Sequence, residues 1–160
     1  MKHMDGMSMP MHSGHYRKLA IMGLLSFIAM YALMYAMVDR FDNVYSNFNQ
    51  FYMAGMMTAP MIIFELLLMG SMYASKRLNL MIMAGSAIAL VTFFVFIRQQ
   101  TAISDKQFLR SMIPHHASAL LMCKQASLHD PELETLCRSI ETGQQAEIDQ
   151  MKRKLRELGN

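Results

Sequence analysis

The chain has 160 residues, 53% of them hydrophobic and 17% charged, with a formal net charge of +3. The apolar residues gather in the first two thirds, which excludes an ordinary water-soluble domain and points to a membrane protein. No dense basic stripe accompanies the positive charge, which excludes nucleic acid as a partner, and the absence of a catalytic triad, nucleophile elbow or phosphate loop argues against an enzyme.

The first segment, residues 1–18, reads as a flexible tail. It is short of core-forming residues other than Met, and His3, Met4, Met7, Met9, Met11, His12 and His15 crowd it with thioethers and imidazoles. With no core to fill, these side chains are candidates for a secondary metal-capturing site.

Three apolar runs follow, at residues 19–38, 51–74 and 80–97. Each approaches the roughly 20 residues that a helix needs to cross a ~30 Å hydrocarbon core. The first is too long for the apolar region of a signal peptide and is read as a retained span. The second carries a lone charge, Glu65, on a ridge with Met53, Met57, Met61 and Met69 at helical spacing. A charge inside a membrane is a functional candidate. The ridge is either a copper path or adaptable packing around a neutral Glu65 bonded to a neighbouring span, and packing is favoured. Lys2, Arg17, Lys18, Lys76 and Arg77 share one side of a three-span layout, so that side is expected to be cytoplasmic. The expectation is a multi-pass protein of a bacterial inner membrane with its C-terminal part in the periplasm.

The last part, residues 104–158, is expected to be an antiparallel helix hairpin. Ser104 and Gln107 have the spacing of a helix cap, and a helix is expected to run to about Leu128 through Pro114, which removes one backbone donor. His129 lies in the turn, and Asp130 and Pro131 have the chemistry of a helix start, with a second helix reaching about Leu158. A hairpin this small has too little interior to stand alone. It is expected to pair with a second copy into a four-helix bundle or to dock on the membrane helices. The fold class is therefore all-α, three transmembrane helices and then half of a four-helix bundle.

On a helical wheel Met112, His115, His116 and Cys123 share one face of the first hairpin helix. Counting outward from the turn places Cys123 level with Cys137, His116 with Gln144, and Met112 one turn from Met151. The expectation is a soft cluster of Met112, Met151, His115 and His116 with Gln144 or Glu147 behind it. Thioether and imidazole suit Cu(I) and, by extension, Ag(I), whereas Mg or Ca would call for oxygen. Cys123 and Cys137 are open to three readings: a disulfide, a pair of soft ligands, or buried thiols.

The stretch from Ser104-Asp105 through Met112-Ile-Pro-His115-His116-Ala-Ser-Ala-Leu-Leu-Met122 to Gln144-Gln-Ala-Glu147-Ile-Asp-Gln-Met151 resembles the domain-of-unknown-function (DUF) 305 family. That resemblance implies a ferritin-like helical bundle and metal handling, since the family includes periplasmic copper-binding proteins. Carried over by motif, the ligands are Met112, His115, His116, Met122 and Met151, with Asp105 and Glu147 as patterned polar positions. The leading expectation is a non-enzymatic, membrane-anchored protein that sequesters Cu(I) or Ag(I) or hands it to a partner, contributing to metal tolerance. Binding through neutral imidazoles would weaken as pH falls through about 6.5. The alternatives are an assembly protein whose hairpin binds a partner, and a small metal-transporter subunit.

Overall fold

The computed structural model describes residues 11–159, with side chains from Gly14 onward, and contains only helices, turns and connections among them. Five helices follow in order: α1 (Met11–Leu33), α2 (Phe48–Leu68), α3 (Lys76–Gln99), α4 (Asp105–Gln125) and α5 (Pro131–Glu157). Short 3-10 turns occur at Met34–Met37, Phe41–Asn43 and Gly70–Met72. The chain is all-α over these residues.

Helix α1 opens at Met11, inside the segment expected to be a flexible tail. His15 is therefore a helical residue, and its Nδ1 lies 2.8 Å from the Met72 carbonyl. His3, Met4, Met7 and Met9 lie outside the described residues, as do the side chains of Met11 and His12. Helix α2 starts three residues before its apolar run because Asn47 caps it, accepting the Gln50 N–H at 2.9 Å. It also ends earlier than the run, since Gly70 and Ser71 support a 3-10 turn in place of further α-helix.

Three helices are long and apolar enough to cross a membrane: residues 14–37, 48–68 and 76–99, of 24, 21 and 24 residues. At 1.5 Å per residue they reach about 32 to 36 Å. Helix α2 lies between α1 and α3. Its buried residues Ala54, Gly55, Thr58 and Ala59 are small, and this lets neighbouring backbones approach closely. A Cβ placed on Gly55 would overlap the Phe93 ring. The outward faces are apolar, with Leu24, Leu25, Ile28, Leu68, Leu80, Ile88 and Phe94 all exposed.

Helices α4 and α5 run antiparallel. Cys123 and Cys137 are joined in a disulfide with Cα atoms 5.3 Å apart, and at the far end Lys106 Nζ donates to the Gly159 carbonyl at 2.6 Å. Asp130 caps α5 by accepting from the backbone of Glu132 and Leu133 at 2.8 and 3.1 Å. Between these ends Ile113, Ala117, Leu120, Ile148 and Leu155 form a core. Leu109 and Met151 pack on it, and so do Val38 and Tyr45 from the connection between α1 and α2.

The helix pair is thus docked on the rest of the chain, and polar bonds fasten it there. Gln107 Oε1 accepts the Phe48 N–H at 3.0 Å, satisfying one of the orphan donors in the first turn of α2. Asn49 Nδ2 donates to Ser111 Oγ at 3.0 Å. Pro114 has no N–H to offer the carbonyl of Arg110, four residues back, and that carbonyl faces Asn47 Nδ2 at 3.4 Å instead.

Candidate functional site

The face of α4 turned to α5 is not the face with the full set of expected ligands. Leu109, Ile113, Ala117 and Leu120 occupy the core, and Met112, His115 and Met122 lie roughly 100°, 160° and 180° around the helix from Ile113. His115 consequently points away from α5 and is exposed. It lines a crevice with Met34, Val38, Asn47, Asn49, Gln50, Met53, Ser111, Met112, Pro114 and Ser118. Met112 keeps its expected place beside His115, but the pair face α1 and α2 and not Met151.

His116 occupies the edge of the core. Its side chain is 13% exposed, and its Nδ1 lies 2.9 Å from Glu147 Oε2 on α5. The approach is close without being an aligned hydrogen bond, so it is an ion-pair contact whenever the imidazole is protonated. Of the two expected partners, Gln144 and Glu147, it is Glu147 that the imidazole meets. The two imidazoles have centroids 5.9 Å apart at a steep angle and face different neighbours.

Other expected ligands fall elsewhere. Met122 is 53% exposed, on the side of α4 away from the core and from His116. Met151 packs against the core formed with Ile148 and Leu155. Asp105 is exposed in the first turn of α4, where its charge complements the helix dipole. Gln144 is half-buried on α5. Because Cys123 and Cys137 form a disulfide, they offer no thiolate, and their soft-ligand reading falls. Among the described residues, no three His, Cys, Asp or Glu side chains converge into a metal-binding group.

Glu65 lies within the long apolar helix α2. It sits in the last turn of α2, one helical turn from the end, and accepts the Tyr73 hydroxyl at 3.1 Å. On the same ridge Met53, Met57 and Met69 are 36%, 40% and 41% exposed, so within one chain the ridge is an outer surface and encloses no path.

The sequence reading missed Met34 and Met53 as neighbours of Met112 and His115, and it missed the Asn47, Asn49 and Gln107 fastening. One signal was available for the fastening: Asn47, Asn49 and Gln50 form a polar cluster just ahead of an apolar run, where a helix cap is expected.

Residues 96–158 match the model of the family described as "Domain of unknown function (DUF305)". An uncharacterized protein of Acanthamoeba polyphaga mimivirus is 33% identical over 135 residues, spanning 82% of this chain and 86% of that relative. An alignment of that length extends beyond α4 and α5 into the apolar helices. No solved structure matches the chain. With its last two helices inside the family model and a relative matched over most of both chains, the protein belongs to the DUF305 family.

Proposed function

We propose that this protein is a non-enzymatic, membrane-anchored holder of Cu(I) or Ag(I), which it sequesters or hands to a partner and so contributes to metal tolerance. The observation that carries the reading is the position of His115. The core of α4 is already supplied by Ile113, Ala117 and Leu120, so His115 and the neighbouring Met112 are not needed for packing and stand on an accessible face. Imidazole and thioether are neutral, soft donors suited to a monovalent d10 cation. His116 is a second imidazole beside His115, at the edge of the core with its Nδ1 2.9 Å from Glu147 Oε2.

Membrane insertion rests on the three long apolar helices and their exposed apolar faces, which in water would form a patch far larger than a monomeric soluble protein tolerates. Arg17, Lys18, Lys76 and Arg77 cluster at the end of the bundle opposite α4 and α5, which favours a cytoplasmic placement for that end and an extracytoplasmic one for the metal-binding helices. Phe108, Met122, Leu133 and Leu136 are exposed on the helix pair and offer a second copy an apolar surface to cover, completing a four-helix bundle as a dimer.

The test is an anaerobic titration of the intact chain in detergent with Cu(I) against a chromophoric competitor, comparing wild type with a His115→Ala/His116→Ala variant of equal helicity. Loss of a tight site in the variant is expected. Unchanged affinity and stoichiometry would overturn the assignment.

A further inference from the structure

We infer that the crevice between α4 and the ends of α1 and α2 is a soft-metal site shared by both parts of the chain, with Met34 and Met53 joining Met112 and His115 as ligands. The inference rests on the proposed metal-binding function and extends it to two residues of the apolar helices.

The placement follows from local structure. The 3-10 turn Met34–Met37 continues α1 past Leu33, and Met53 sits in the second turn of α2. Docking of α4 through Asn47, Asn49 and Gln107 brings Met112 and His115 over both. The space they line is about 310 Å³ and open to solvent on one side.

The chemistry of the lining selects the ion. No Asp, Glu, Lys or Arg side chain lines the crevice. A divalent cation there would be left without compensating charge, whereas a monovalent soft cation needs only neutral donors. The polar groups in the lining are already engaged. Ser111 and Ser118 donate to the carbonyls of Gln107 and Pro114 at 2.9 Å, and Gln50 Oε1 accepts from Asn47. Three thioethers and one imidazole are thus the donors left to face an ion. Methionine has three rotatable side-chain bonds, so the sulfurs can be drawn inward around an ion smaller than the crevice.

A ligand set of this kind makes metal binding and docking one event, because the ion bridges α4 to α1 and α2. It also places the ion at the boundary of the apolar helices. Tyr35 and Tyr52 mark that boundary, with hydroxyls donating to the carbonyls of Tyr45 and Thr101 at 2.7 and 3.0 Å.

The experiment titrates Cu(I) anaerobically into the intact chain and compares wild type, Met34→Leu/Met53→Leu, and His115→Ala/His116→Ala. Leucine keeps the apolar volume and removes only the sulfur, and the shared segment 1–15 contributes equally to all three. The leucine variant is expected to lose at least about tenfold in affinity for one ion, with fewer sulfur neighbours in copper X-ray absorption. If it binds as wild type does while the histidine variant is weakened, the shared site is wrong and the metal function stands. If both variants bind as wild type does, the site and the proposed function fall together.

Discussion

At the scale of single residues, the outcome for α4 turns on which of two faces of the helix meets α5. Leu109, Ile113 and Leu120 are branched aliphatic residues and fill the core, whereas Met112, His115 and Met122 are flexible or polar and stay outside it. A wheel drawn from sequence contains both faces, and the apolar spacing of Leu109, Ile113, Ala117 and Leu120 marks the buried one, which a reading that starts from the histidines passes over. The cysteines separate structure from chemistry more cleanly. Their disulfide closes a loop with a sequence separation of 14, and loops of about that length contribute roughly 3 kcal/mol through the unfolded state. A Cys123→Ala/Cys137→Ala variant is therefore expected to unfold at lower denaturant by about that amount while binding as much Cu(I) as wild type. A fall in copper stoichiometry with the fold intact would return the sulfurs to the ligand list.

At the scale of elements, the interruption of α4 by Pro114 has a use. The Arg110 carbonyl that loses its helical partner is taken up by Asn47, the residue that also caps α2. Pro114→Ala would restore an N–H that reclaims this carbonyl. Losing a bond worth about 1 kcal/mol should speed amide exchange in the first turn of α2 about fivefold and slow it in the middle of α4. Unchanged exchange around Phe48 would mean that the contact does not help docking. Hydropathy made the three apolar runs legible, and the chemistry of Ser104, Asp130 and Pro131 made the starts of α4 and α5 legible, because both are local properties of the chain. The start of α2 was displaced by three residues because Asn47 and its neighbours are polar, and helix and apolar run are different things. The meeting of Met34 and Met53 with His115 depends on contacts distant in sequence, which no helical period encodes.

At the scale of the whole molecule, the protein combines three apolar helices, which meet around Leu19, Leu66 and Tyr73, with a small helix pair fastened to one end. Three helices alone leave most of their surface apolar and outward, and the helix pair has a core of five buried residues. Both features call for covering, by lipid around the first and by a second copy along the second. Sedimentation in detergent is expected to give the protein mass of two 18.3 kDa chains, and the mass of one chain would contradict the dimer. Within such an assembly the His115 face of each α4 remains beside its own α1 and α2, so the proposed metal site would not depend on how the copies pair. The measurement that bears most directly on the account is the anaerobic Cu(I) titration of the intact chain and of its His115→Ala/His116→Ala variant. The account predicts a tight site present in the first and missing from the second at equal helicity, and a variant that binds as wild type does would contradict it.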